Sequence, residues 1–265
     1  VSSQTAEQSG CGARIKSKTE KYMERVLDGW YSQALKKHME IAMYGNYGDA
    51  LLLIPTAGAD YLEYERFLML DVIEDIIKAG KFKVFSVNSI NKESWLNSEM
   101  NPKHKAIRHN DFNHYIRHEV VPYIKSKTSQ ETPIYTCGAS LGALHAANLC
   151  LKYPYHIDGC ISMSGVYDLT TYTKGFWDED VYFNSPMHYL EKLNDDYYLP
   201  KLRQSKHIHI LTGSGDYEDP HASRTFSALL NHKGIPHELD VWGGDMKHDW
   251  PTWRAMLPHY LGSRF

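Results

Sequence analysis

The apolar positions change their period along the chain. Tyr22 to Tyr31 and Lys37 to Tyr44 alternate well enough to be two strands, and Gly45-Asn46-Tyr47-Gly48 behind them is a turn signal. Ala50-Leu51-Leu52-Leu53-Ile54 then runs apolar without a break and stops at Pro55. An unbroken run of that length reads as a strand buried on both faces of a parallel sheet. Phe67, Leu70, Ile73, Ile76 and Ile77 carry helical spacing, which predicts a helix from Tyr61 to Ala79 stopped by Gly80. Further strands are predicted at Phe82 to Val87, Ile134 to Cys137, Gly159 to Met163, Ile208 to Thr212 and Glu238 to Trp242. Helices are predicted at Ala106 to Ile124, Leu141 to Tyr153, Pro220 to Lys233 and Trp250 to Leu261. Strand and helix thus alternate from residue 50 onward. That order predicts a mostly parallel sheet with helices on both faces. Ligands of such sheets sit at the carboxyl ends of the strands, so chemistry is expected in the loops after Ile54, Cys137, Thr212 and Trp242.

Two stretches fall outside this rhythm. Residues 1–18 are almost devoid of apolar side chains and read as a disordered leader, leaving 19–265 as one domain. Gly165 to Ser205 is long for a connection and rich in rings: Tyr167, Tyr172, Phe176, Trp177, Tyr182, Phe183, Tyr189, Tyr197 and Tyr198. It is read as an insertion over the strand ends, with two readings left open: a pocket wall, or a locally packed excursion.

Composition narrows the function classes. The chain has 265 residues, 29 Lys and Arg against 32 Asp and Glu, and a net charge of -3. That balance argues against affinity built on phosphate neutralisation, so no nucleic-acid partner is expected. No apolar run approaches the ~20 residues of a membrane-spanning helix. The four cysteines, Cys11, Cys137, Cys150 and Cys160, form no C-x-x-C pair, so neither a zinc site nor a disulfide framework is indicated. Cys137 is read as a small buried hydrophobe. Cytoplasmic residence is expected; a chain that begins at Val1 is also compatible with removal of an upstream segment and secretion. Nothing in the pattern sets an oligomeric state.

Gly138-Ala139-Ser140-Leu141-Gly142 matches G-x-S-x-G. Set between a predicted strand and a predicted helix, this motif makes the sharp turn that exposes a nucleophilic serine. The positions two before and two after the serine crowd each other, so both call for glycine. A serine hydroxyl needs a base to take its proton. His248, in the loop between the last strand and the last helix, stands where a base belongs. The rivals are weaker. His207 and His209 lie in a strand, His221, His232 and His259 in or beside helices, and His145 on the helix behind Ser140. His109, His114 and His118 are read as a solvated helix face rather than metal ligands, and no H-E-x-x-H occurs. For the acid, Gly213-Ser214-Gly215-Asp216-Tyr217-Glu218-Asp219 offers three carboxylates. Asp216 ranks first on its G-x-x-D spacing. Glu218 is the alternate, since a longer side chain from a displaced loop reaches the same point. Asp219 reads as the N-cap of the helix opening at Pro220. An oxyanion hole needs two backbone N–H donors. Leu141, at the start of its helix, is one candidate. The other comes from Pro55-Thr56-Ala57-Gly58-Ala59-Asp60; Pro55 has no N–H, and of Thr56 and Ala57 the latter is favoured.

The elbow, the tail His248-Asp249-Trp250-Pro251-Thr252-Trp253 and the Pro55–Asp60 loop together resemble the putative-esterase family of α/β-hydrolases, which includes esterase D, feruloyl esterases and the mycolyltransferase antigens. The resemblance spans about Lys37 to Leu261. It implies an α/β-hydrolase fold and a serine-dependent carboxylic-ester hydrolase that works on a small-molecule ester without metal or cofactor. By motif, Ser140 carries over as nucleophile and His248 as base. The acid does not carry over to one position, and the early loop departs from the Gly-Gly or Gly-Leu pattern of several members. Two other functions fit the same fold: an acyltransferase using the same triad, and a binding protein that has lost the chemistry.

Overall fold

The computed structural model describes residues 23–265. The expected leader, the start of the first predicted strand at Tyr22 and the cysteine Cys11 lie outside the described residues.

Strands β1 (Arg25–Ser32), β2 (Lys37–Tyr44) and β3 (Asp49–Ile54) open the fold. Three short helical pieces follow, α1 (Glu63–Arg66), α2 (Met69–Val72) and α3 (Glu74–Lys78), and then β4 (Phe82–Val87). A 3₁₀ turn at Asn91–Glu93 leads to α4 (Pro102–Tyr115), which runs through a π turn at Ile116–Val120 into α5 (Val121–Lys127). After β5 (Ile134–Ala139) come α6 (Leu141–Lys152) and β6 (Gly159–Met163). The ring-rich segment holds α7 (Thr170–Thr173), α8 (Glu179–Tyr182), α9 (Pro186–Lys192) and α10 (Tyr198–Leu202). The chain ends with β7 (His207–Thr212), α11 (Pro220–His232), β8 (Glu238–Val241) and α12 (Trp250–Ser263).

The eight strands form one sheet in the order β1-β2-β4-β3-β5-β6-β7-β8. β2 pairs antiparallel with β1 and β4, and every pair from β4 to β8 is parallel. The unbroken apolar run of β3 is explained by helices on both faces. Ala50, Leu52 and Ile54 enter one core and Leu51 and Leu53 the other. The second core is closed by α12 through Trp250, Trp253, Leu257 and Leu261.

Two predicted helices differ in detail. The helix expected over Tyr61 to Ala79 is three pieces, because Leu68 adopts a left-handed conformation (φ 57°) and Ile73 sits between two helical turns. The spacing still put Leu70, Ile73 and Ile77 in the core, while Phe67 turns out to stack on Trp250 at 4.7 Å. The helix expected from Ala106 starts earlier, at Pro102, capped by the Asn101 side chain on Lys103 N–H. Its π turn lies just ahead of Pro122, whose ring cannot supply the N–H that a regular helix needs there.

The ring-rich insertion is tied down by buried amides. Asn184 Oδ1 accepts from Asn113 Nδ2 at 2.7 Å, and Asn184 Nδ2 donates to Asn110 Oδ1 at 2.7 Å, joining the insertion to α4. Leu169 and Val181 pack with Trp95, Ala106, Leu141 and Leu144, with Tyr172 and Phe176 beside them. This part of the insertion therefore builds an apolar wall next to the residue that follows Ser140. No helix among the described residues is long and apolar enough to cross a membrane.

Candidate active site

Ser140 sits between the last residue of β5 and the first of α6, with φ 57° and ψ −122°. A serine with positive φ is strained and needs its surroundings to hold it. The neighbouring glycines provide the room. A Cβ on Gly138 would lie 2.2 Å from the Gly142 carbonyl oxygen, and one on Gly142 would lie 2.5 Å from that of Ile54. The turn is held by Ser140 N–H donating to Met163 O of β6 at 3.0 Å. Ser140 remains partly exposed. Leu141 is the first residue of α6, so its N–H lies ahead of the intrahelical ladder and faces outward.

The loop after β3 is fixed by α1. Buried Glu63 accepts from Thr56 N–H at 2.7 Å and from Thr56 Oγ1 at 2.6 Å. Tyr64 Oη donates to Ile54 O at 3.0 Å. Burial pushes the Glu63 carboxyl up from its ordinary pKa, and the two Thr56 hydrogen bonds oppose that rise. Because the Thr56 N–H is taken by Glu63, Ala57 is the member of the two candidates with an uncommitted donor role. From the other side Asn91 Nδ2 donates to Ala57 O at 2.9 Å and, more weakly, to Thr56 O at 3.3 Å.

The acid facing His248 is Glu218, the alternate candidate, and not Asp216. Glu218 Oε2 stands 3.3 Å from His248 Nδ1, and its side chain is fully buried. The Asp216 carboxylate is 64% exposed and pairs with Lys247 Nζ at 2.6 Å. The physical reason is the path of the loop. Gly215 N–H donates to Met246 O at 2.9 Å and His248 N–H to Asp216 O at 3.0 Å. Asp216 therefore contributes its main chain to the β8 loop while its side chain turns to solvent. The third carboxylate, Asp219, caps α11 by accepting from His221 and Ala222 N–H.

Glu218 is tied by several donors. Oε1 accepts from Ser164 Oγ at 2.6 Å and Gly213 N–H at 3.2 Å, and Thr212 Oγ1 approaches Oε2 at 3.3 Å. Burial raises its pKa, but the contacts from His248, Ser164 and Gly213 outweigh burial and hold it below the usual glutamate range. Glu218 is thus a buried anion kept by hydrogen bonds.

Ser164 is a site residue that sequence reasoning missed. It follows β6 with φ 51°, donates a hydrogen bond from Oγ to Glu218 and accepts from Trp253 Nε1 at 3.0 Å. Trp253 in turn places its ring edge-on to His248, with centroids 5.3 Å apart. The Trp of the His248–Trp253 tail was the available signal; its partner just after β6 carries no motif. Sequence reasoning also misplaced one histidine. His145 and His109 are fully buried, and His109 does not belong to the solvated face that carries His114 and His118. Cys137, Cys150 and Cys160 are buried free thiols. Among the described residues no group of His, Cys, Asp and Glu is placed to hold a metal ion.

A parallel sheet with a serine elbow after one strand, and a carboxylate–imidazole pair after two later ones, defines an enzyme of the α/β-hydrolase type. The family described as "Putative esterase" matches residues 63–263, and the chain belongs to that family, a serine hydrolase of the carboxylesterase kind. Solved structures agree on the fold. A ferulic acid esterase superposes with a TM-score of 0.70 at 19% identity, covering 90% of this chain and 96% of its own. An S-formylglutathione hydrolase from Staphylococcus aureus gives 0.68 at 15% identity, with 91% and 96% covered. MPT51 of Mycobacterium tuberculosis gives 0.64 at 14% identity, with 89% and 97% covered. No curated protein matches the chain by sequence.

Proposed function

We propose that the chain hydrolyses a small-molecule carboxylic ester through an acyl-enzyme, with Ser140 as nucleophile, His248 as base and Glu218 as the acid. Ser140 Oγ attacks the ester carbonyl carbon while its proton passes to His248 Nε2. The tetrahedral oxyanion is received by the N–H groups of Leu141 and Ala57. Collapse expels the alcohol, which takes the proton from His248. Water then attacks the acyl-enzyme, again giving a proton to His248, and collapse returns that proton to Ser140 Oγ as the carboxylic acid leaves. Glu218 holds Nδ1–H and stabilises the imidazolium that forms at each step.

The observation that carries this reading is the buried Glu218 carboxylate against His248 Nδ1 at 3.3 Å, which leaves Nε2 as the free base. The strained Ser140 at the head of α6 supports it. Tyr172 and Phe176, half-buried beside Leu141, offer an apolar group of the ester a place near the reacting carbon. The test is Ser140→Ala assayed on a p-nitrophenyl ester. A fall in kcat of about 10⁴-fold or more, with loss of fluorophosphonate labelling, is expected. Turnover like that of the unmodified enzyme would end the proposal.

A further inference from the structure

Behind the loop that carries Ala57 lies a run of buried polar side chains that the triad does not use. Asn91 is fully buried on the 3₁₀ turn and donates from Nδ2 to the carbonyls of Thr56 and Ala57. Two carbonyls on one side fix which way its amide points, so Oδ1 faces His145 Nε2, 2.8 Å away. An oxygen there requires His145 to donate, which sets its Nε2–H tautomer. Burial pushes the His145 pKa down to about 3, so the ring is neutral and Nδ1 is a bare acceptor. His109 lies next in line. Its Nδ1 accepts from Trp95 Nε1 at 3.1 Å, so its own proton is on Nε2. Burial, the first cause, together with His145 holds its pKa well below the ordinary value. The two imidazoles stand edge to face with centroids 4.4 Å apart. His109 Nε2 and His145 Nδ1, one a donor and the other an acceptor, are each buried without a hydrogen-bond partner among the described residues.

We infer that Asn91 and His145 are positioning residues that aim the Ala57 N–H at the reacting carbonyl, forming a one-way hydrogen-bond relay from His145 to the Ala57 loop. Both links have the same sense: His145 Nε2–H to Asn91 Oδ1, and Asn91 Nδ2–H to Ala57 O; His109, which accepts from Trp95, packs edge to face against His145 without a hydrogen bond to it. Aligned donors polarise one another, and the wrong tautomer at His145 would turn the Asn91 amide and release the loop. Trp95 packs with Leu141 and stands 6.3 Å from Tyr172 of the insertion, so the rings behind His145 are continuous with the apolar cluster beside Ser140. This inference rests on the reading of Ala57 as an oxyanion donor.

The test compares His145→Leu, His145→Gln and Asn91→Asp on a p-nitrophenyl ester, with inhibition by an aryl trifluoromethyl ketone and by the product carboxylate. The ketone forms a hemiketal on Ser140 whose oxyanion needs the Ala57 N–H; the carboxylate product does not report on that donor in the same way. Loss of a whole oxyanion donor costs about 10²–10³ in kcat, and misaiming one costs less. His145→Leu is expected to lower kcat about tenfold and weaken ketone binding by a similar factor, with KM and product inhibition within about twofold. His145→Gln, whose amide can donate to Asn91 Oδ1, is expected to recover most of the loss. Asn91→Asp keeps the side chain's shape and the acceptor facing His145 but removes the donor to Ala57 O; a loss of about tenfold in kcat is expected, and this variant carries the test if the core histidine variants do not fold. Equal behaviour of His145→Leu and His145→Gln, or a fall in kcat with ketone affinity unchanged, would overturn the relay. Ser140→Ala separates the two layers. If it stays active, the underlying triad is wrong; if it is inactive while the relay variants are silent, only the relay is wrong.

Discussion

Replacing Glu218 by Gln changes almost no volume and removes one charge. The outcome can be worked from its hydrogen bonds. Oε1 accepts from Ser164 Oγ and Gly213 N–H, so an amide at 218 keeps its oxygen on that side and turns its NH₂ toward His248. Facing a donor, His248 must present Nδ1 as an acceptor and carry its proton on Nε2. That tautomer cannot take the proton of Ser140. The charge is lost as well. At about 4 Å and an effective dielectric of about 20, a carboxylate–imidazolium pair is worth about 4 kcal/mol. At about 1.4 kcal/mol per decade, that is about 10³ in rate. Glu218→Gln is therefore expected to lower kcat by about 10³-fold on a p-nitrophenyl ester, with KM little changed. Asp216→Asn removes only a solvent-exposed pair with Lys247, worth under about 1 kcal/mol, and is expected to stay within about threefold. Steady-state kinetics of the two variants side by side decide the matter. A large loss in Asp216→Asn with Glu218→Gln near normal would refute the assignment of the acid.

Further outcomes follow from the same contacts. Ser164→Ala removes a 2.6 Å hydrogen bond to Glu218 and strands the Trp253 N–H; a fall in kcat of about tenfold is expected, readable in the same assay. Stability should depend on acid through the buried histidines. Burial pushes His145 down to about 3 and His209 to about 4, below the value near 6.5 of an unfolded chain. The unfolded state then binds more protons than the native state below about pH 6.5, so stability falls as pH drops through that window, by up to about 1.4 kcal/mol per pH unit for each ring. Thermal unfolding between pH 4.5 and 8 checks this; a melting temperature that rises toward pH 5 would contradict it.

How much of this could be read from residues alone varies with the element. The β5–Ser140–α6 turn was legible because one local motif needs a glycine at each end, and the contacts of Gly138 and Gly142 show why. β3 was legible because two-sided burial leaves no polar alternation. Which carboxylate faces His248 was not, since the choice between Asp216 and Glu218 is made by main-chain bonds to a loop about thirty residues away. Ser164 and His145 were missed for a related reason. Each works through one long-range partner, Trp253 or Asn91, and neither spacing nor composition records such a pair. The break at Leu68 was also invisible, because helical spacing persists across it.

The stitching of the two catalytic loops has a mechanical consequence. Gly213 and Gly215 let the main chain of one loop lie against Met246 of the other so closely that an added methyl at Gly213 would sit 2.1 Å from the Met246 carbonyl oxygen. Imidazole and carboxylate are thereby carried on what is in effect one plate. Breathing that admits a bulkier ester has to come from the opposite jaw, where the Ala57 loop and the ring-rich segment are held by side chains instead of by backbone. Directed change of substrate range is best aimed at that jaw, leaving the plate untouched.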